Sequence, residues 1–410
     1  MKKFTSVFLV LLLGISYRVC AGVPVMGNWS NVPIFNQAPL EIKLGTFSDG
    51  PDPDLLAMVL WNDGSSNRLD ALKIPFPYDG SNVTSTSLEN TATLFALGNI
   101  CSNGGTIVVP YIKNFNIEVA RFNGLSWSTL MIPGTFSNDF DSADCGVTQD
   151  GNFISGHDMT DSEIEIYLNL SNSSNFNFFG RFGGVSAPVA GPFDGAVRDT
   201  LATDRNGSFG LSFYQRSNGL TRTATFDTSD NPPTFNHNDV QQLPPPVGFV
   251  FVKESFGFRV LGGVVVGYNA DGNARTAEIP DSDPSSPTLR NLGTINNNGS
   301  QFTFQGGSYV PNIDEEDTLV EHNVIWGDWF IFDPFSAKPA NTDVNFPLMG
   351  VGGPLSACNR RMSSGKTFTY LAGPRVGTDG TDLHIRELET DMIFTDGFES
   401  GDVSVWSNCP

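Results

Sequence analysis

The stretch GGTIVVPYIKNFNIEVARFNGLSWSTL, Gly104 to Leu130, decides the fold class. Apolar residues fill Thr106–Tyr111, break briefly, resume over Ile117–Phe122, turn at Asn123-Gly124 and enter a third run carrying Trp127. Short runs rich in β-branched and aromatic residues, bounded by turn residues, are strands rather than helices. An Asn-Gly step supplies the positive φ that a tight hairpin needs at both central positions. Antiparallel strands joined by short loops are predicted.

The same grammar recurs along the chain. A turn glycine, a small or polar residue and an apolar run appear at Gly105, Gly151, Gly207, Gly299 and Gly365, and FRVLGGVVVGY after Gly257 is a related copy. Each is followed by a second strand such as IEVARF, EIEIYLNL or TRTATF. DLLAMVLWNDGSSNRLDALKIPF, from Asp54, fits as an earlier copy. A spacing of roughly 40–50 residues with about four short strands per copy is the period of a propeller blade. Near-continuous apolar strands suit sheets covered on both faces. The expectation is an all-β chain forming a single β-propeller of about seven four-stranded blades, with six or eight also compatible. Tandem β-sandwiches are the alternative. LEIKLGTF, from Leu40, is expected to close the ring beside Asp382–Leu388 and so remove an exposed edge.

Composition agrees with a folded β protein. Hydrophobic residues are 39% of the 410, with 33 Phe to fill the space between sheets, while charged residues are only 16%. Gly and Pro number 43 and 26 and are dispersed rather than gathered into linkers. The formal charge of −21 argues against nucleic acid or an anionic membrane as partner, because either would repel such a surface.

The first 21 residues read as a signal peptide. Lys2 and Lys3 precede a short apolar stretch, Phe4 to Ile15, and Val19-Cys20-Ala21 forms a small-residue cleavage site. The stretch is too short to span a bilayer. Export to the extracellular space or cell surface follows, and removal of Lys2, Lys3 and Arg18 makes the chain more acidic still. The domain plan is then residues 1–21 as leader, 22–390 as propeller and 391–410 as a tail.

Four cysteines remain after cleavage. Cys101, Cys145 and Cys358 lie four, six and seven residues before a turn glycine, near the inner strands of their blades. Cys101 and Cys145 fall in consecutive copies, where inner strands converge. The expected disulfides are Cys101–Cys145 and Cys358–Cys409, the second fastening the tail.

The chain resembles secreted bacterial propeller proteins. Gly262-Gly263 with Tyr268 is similar to one kelch copy, and Thr148-Gln149-Asp150-Gly151 reproduces a fragment of the sialidase-type Ser-x-Asp-x-Gly-x-Thr-Trp turn. Propellers host many unrelated functions, so the resemblance implies architecture. IFTDGFESGDVSVWS, Ile393 to Ser407, resembles a C-terminal segment of many exported proteobacterial proteins, which implies sorting or surface display.

Candidate chemistry is sparse. Asp139, Asp141 and Asp144, in SNDFDSADCG, place hard oxygen donors at the short spacing used for calcium, although the spacing is not that of an EF-hand. A solvated acidic turn is the commoner use of such residues. Asp314-Glu315-Glu316-Asp317 reads as a solvated loop. His157 is the candidate general base or ligand, with a structural or surface histidine as the commoner reading. Its neighbour Asp158 belongs to the opposite strand face and forms no dyad with it. Arg360-Arg361 offers forked donors to an anion or a carboxylate-bearing sugar, or else serves internal salt bridges. Trp127, with Trp326 and Trp329, is a candidate sugar-stacking surface, although blade packing is the commoner use of Trp. No nucleophile elbow, zinc-protease helix, P-loop or dinucleotide fingerprint occurs.

These features point to an exported, non-catalytic binding protein whose loops take a glycan or an extracellular protein. A polysaccharide hydrolase or lyase at the channel mouth is the alternative, and a calcium-stabilised surface protein is the third reading.

Overall fold

A computed structural model describes residues 25–26, 30–35 and most of 39–183, and beyond these the strands between residues 209 and 390. The leader, the tail with Cys409, Trp326 and the 314–317 acidic run lie outside the described residues.

Every described regular element is a strand, and the strands form seven antiparallel sheets in chain order. Sheet 1 comprises Pro39–Thr46, Leu55–Asn62, Asn67–Ile74 and Thr84–Thr91. Sheet 2 places Leu94–Leu97 and Cys101–Asn103 on one edge of Thr106–Lys113, followed by Asn116–Phe122 and Trp127–Met131. Sheet 3 comprises Phe140–Thr148, Gly151–Asp158, Glu163–Leu170 and Asn177–Gly183. Sheet 4 runs from Phe209 to Val240, sheet 5 from Val250 to Thr294 and sheet 6 from Ser300 to Asn345. Sheet 7 joins Ser356–Arg361, Thr367–Gly377 and Gly380–Thr390 to two N-terminal segments, Val25–Met26 and Ser30–Phe35.

The continuous apolar strands follow from how these sheets stack. In Leu55–Asn62, Leu55, Ala57 and Val59 pack with Tyr370, Ala372, Leu383 and Ile385 of sheet 7. The intervening Leu56, Met58 and Leu60 pack with Ile107, Val109 and Tyr111 of sheet 2. The other face of Thr106–Lys113, through Val108 and Ile112, meets Phe140, Cys145 and Ile154 of sheet 3. Alternate residues thus feed two different cores, so alternation of apolar and polar types is lost. A sandwich buries one face per sheet, whereas sheets 1 and 2 bury both. First strands carry much of this neighbour contact: Ser356–Arg361 touches both Pro39–Thr46 and Ser300–Gln305, and Phe140–Thr148 touches sheets 2 and 4.

Two expectations change. LEIKLGTF does not close the ring: Pro39–Thr46 opens sheet 1 beside Leu55–Asn62. Closure on the expected strand comes from upstream, with Ser30 opposite Ile385, Val32 opposite Leu383 and Val25 opposite Glu389. A strand cannot both begin one sheet and end another, and the residues before Pro39 are free to take the second role. The glycine-led runs at Gly105, Gly151 and Gly365 are second strands, not first. Gly151, opposite Thr148, marks the turn out of the first strand of sheet 3.

All three described cysteines therefore sit on first strands. Cys101 and Cys145 are joined at an S–S distance of 2.09 Å, linking sheets 2 and 3. Cys358 is a buried thiol packed between sheets 7 and 1. Its expected partner Cys409 lies outside the described residues.

Candidate functional site

First strands begin, and second-to-third-strand hairpins turn, at one common end of sheets 1 to 3. His157 lies there, close to the end of its strand. Register along sheet 3 runs from Phe140 opposite Asp158 to Ser142 opposite His157, leaving Asp141 as an inserted residue. Such a bulge re-aims its side chain. Asp141 Oδ1 lies 2.8 Å from His157 Nδ1 and accepts Ser142 Oγ–H at 2.9 Å. His157 is fully buried and Asp141 partly exposed. The histidine's carboxylate partner is thus across the ladder rather than its neighbour in sequence.

Asp139, Asp141 and Asp144 do not converge. Asp139 Oδ2 accepts Thr160 Oγ1–H at 2.9 Å, and its carbonyl accepts Met159 N–H at 3.0 Å. Asp144 Oδ1 accepts the backbone N–H of Asn99 and of Cys145, both at 2.8 Å. Each carboxylate holds different partners: Asp139 the Thr160 hydroxyl, Asp141 the His157 ring and Asp144 two backbone N–H groups. Among the described residues, no group of three or more His, Cys, Asp or Glu is placed to hold a metal ion.

Trp127 is half-buried in an aromatic row. Its ring lies 5.2 Å from Phe122, which meets Phe47 edge-on at 5.1 Å. It sits by the Asn123–Ser126 turn, at the opposite end from His157. Arg360 and Arg361 are on the first strand of sheet 7, opposite Phe368 and Thr367. Trp329 is on sheet 6 opposite His322. These candidates are spread over several sheets.

Sequence reasoning missed Phe95 and Phe115. Lys113 pairs with Asn116, so the second hairpin of sheet 2 turns through Asn114 and Phe115 alone. Both have positive φ, 52° and 59°. A two-residue turn of this kind favours Asn then Gly, because a Cβ in the left-handed region is strained. Phe115 occupies the glycine position, and its side chain is 47% exposed. It packs against Phe95, itself 38% exposed, with ring centroids 5.3 Å apart. The signal in the sequence was an aromatic in KNFN, where a turn glycine is normal.

Backbone hydrogen bonds make this pair continuous with the acidic hairpin. Asn114 N–H donates to Thr93 O at 3.1 Å, Phe140 N–H to Phe115 O at 2.9 Å and Met159 N–H to Asp139 O at 3.0 Å. Thr160 N–H then donates to Asp158 Oδ1 at 2.8 Å. Exposed Phe95, Phe115, Met159 and Thr160 thus form one rim with partly exposed Asp139 and Asp141. Leu40 adds an exposed apolar residue at the same end of sheet 1.

Charges beneath the rim are mutually satisfied. Lys113 Nζ lies 2.9 Å from Glu89 and 3.9 Å from Glu118. Burial pushes the Glu118 carboxyl up; Lys113 pulls it down and Glu89 pushes it up further. Tyr111 donates to Glu89 at 3.0 Å, and burial with the nearby Glu89 charge holds its phenol well above the usual range. In sheet 1, Trp61 Nε1–H donates to Asp70 Oδ2 at 2.6 Å and the Arg68 guanidinium lies over the Trp61 ring at 5.0 Å.

No protein-family model matches the chain, and no curated protein matches it. Solved structures are similar in fold at low identity. AofleA from Arthrobotrys oligospora is 13% identical, with a TM-score of 0.44, covering 71% of this chain and 88% of its own. Trypanosoma rangeli sialidase is 11% identical, with a TM-score of 0.43, over 88% of this chain and 60% of its own. A nidogen/laminin complex matches at 10% identity and a TM-score of 0.38, over 68% of this chain and 90% of its own.

Proposed function

We propose that this chain is an exported, non-catalytic glycan-binding protein, built as a propeller of about seven blades that presents its ligand site on the hairpin rim. One observation carries the reading: an exposed phenylalanine, packed at a tilt against a second, occupies a turn position that glycine fills at no strain. Backbone strain of this kind persists where surrounding structure and function hold it. An exposed aromatic ring beside carboxylate and hydroxyl groups suits a sugar ring, which has an apolar face and a hydroxyl edge. Asp139, Asp141 and Asp144 are committed to separate hydrogen bonds, so the rim supports a ligand held by Phe95 and Phe115 better than calcium.

Export rests on the leader, residues 1–21, and sorting or display on the tail. Deleting Asp391–Pro410 should change the protein's location and leave the body folded, as read by fractionation and circular dichroism.

The test is a glycan array probed with the mature chain. Wild type should bind without releasing reducing ends, and Phe95→Ala and Phe115→Ala should each lower binding at least tenfold with an unchanged circular dichroism spectrum. Turnover of any bound glycan, or binding indifferent to both substitutions, would overturn the reading.

A further inference from the structure

Negative charge surrounds the Phe95/Phe115 pair. Lys113 stands opposite both Leu94 and Asn116, the residues adjoining the two phenylalanines. Its ammonium is already engaged, 2.9 Å from Glu89 and 3.9 Å from Glu118. On the other side, Asp139 and Asp141 flank Phe140, whose N–H donates to Phe115 O at 2.9 Å. Four carboxylates thus border the rings against one ammonium, in a chain whose formal charge is −21.

Two of those carboxylates keep an acceptor open. Asp139 takes the Thr160 hydroxyl through Oδ2, and Asp141 meets His157 and Ser142 through Oδ1. Among the described residues, Asp139 Oδ1 and Asp141 Oδ2 accept no hydrogen bond, and both side chains are partly exposed. The rings add a second attraction of the same sign. They are tilted by 55° with centroids 5.3 Å apart, and both are exposed. A phenyl face carries the negative side of the ring quadrupole, so it attracts a cation within about 6 Å of its centroid. An ammonium over a ring face and beside a carboxylate gains both attractions, whereas a ligand carboxylate is repelled by both.

We infer that the sugar held at this rim is an amino sugar with a free, protonated amine. This rests on the glycan-binding reading and adds the charge class of the ligand. Acetylation of the amine leaves a neutral amide and removes both attractions, and a uronic acid reverses them.

NMR titration of the mature chain tests it, with the methyl glycosides of a hexose, a hexosamine, its N-acetyl form and a hexuronic acid as probes. The free hexosamine should bind about tenfold more tightly than either neutral glycoside, the scale of one charge-assisted contact. Added salt should narrow that gap. Asp139→Asn keeps an acceptor for Thr160 without the charge, and Phe95→Leu keeps apolar contact without a ring face. Each should shrink the preference for the amine while the hexose still binds. Preference for the hexuronate overturns the inference, and so does a preference for the amine that survives unchanged in both variants, since the field of the whole chain would then account for it. If hexose and hexosamine bind alike and both are lost in Phe115→Ala, the rim reading stands and the amine assignment falls. If no glycoside binds and the array is silent, both fall.

Discussion

Phe115 is where local preference and observed structure disagree most usefully. Its φ of 59° is the one glycine relieves, and the aromatic side chain is left in solvent. Phe115→Gly should therefore hold stability within about 1 kcal/mol of wild type, or raise it, because lost ring contact offsets relieved strain. Glycan binding should disappear in the same variant. Urea titration and array binding read the two effects separately, and a large loss of stability would show that the ring is structural. Glu118 gives a second handle. Its folded carboxyl binds a proton more tightly than its ordinary value of 4.5. Below that value both folded and unfolded forms are protonated and nothing is lost. As pH rises above 4.5, the unfolded chain releases the proton first, so this group's contribution to stability declines through the folded value. Unfolding free energy followed upward from pH 4 should fall less steeply in Glu118→Gln than in wild type. A difference between the two that is constant with pH would contradict this.

Between strands, the decisive features are close approaches. Gly98 lies against the first strand of sheet 3, where an added Cβ would meet Ala143 O at 2.5 Å and Pro110 Cγ at 2.7 Å. At Gly156 it would meet Ile117 Cδ1 at 2.3 Å and Phe140 Cδ1 at 2.9 Å. Ile117 is a side-chain end that can turn aside, whereas Ala143 O is backbone. Gly98→Ala should then lower the melting temperature more than Gly156→Ala, each by the equivalent of about 1–3 kcal/mol for overpacking. The disulfide joins the same two sheets across 44 residues of sequence. Replacing both cysteines by serine should remove about 4 kcal/mol on the loop-closure account. Thermal unfolding with and without reductant measures this, and equal midpoints would refute it.

For the molecule as a whole, closure depends on a segment remote from the last sheet in sequence. Ser30–Phe35 covers the edge of Gly380–Thr390, and sheet 7 packs on sheet 1. A chain lacking residues 22–36 should expose that edge and self-associate. Size-exclusion chromatography with light scattering should report oligomers, and a well-behaved monomer would show that the edge is protected otherwise. No described helix is long and apolar enough to cross a membrane.

Strand content, antiparallel hairpins, the repeat of about fifty residues and the placement of Cys101 and Cys145 in neighbouring copies were legible before any coordinates. Each is written in local terms: apolar runs, turn residues and their spacing. The partner of His157, the separation of the three aspartates and the strand that closes on sheet 7 were not. A bulge at Asp141 shifts the ladder by one residue, and a shift of one reverses which side chains meet. Phe95 and Phe115 are 20 residues apart in the chain and touch only because a short edge strand lies beside a two-residue turn. Local pattern specifies which segments become strands, while cross-strand register and sheet stacking choose the side chains that share a surface.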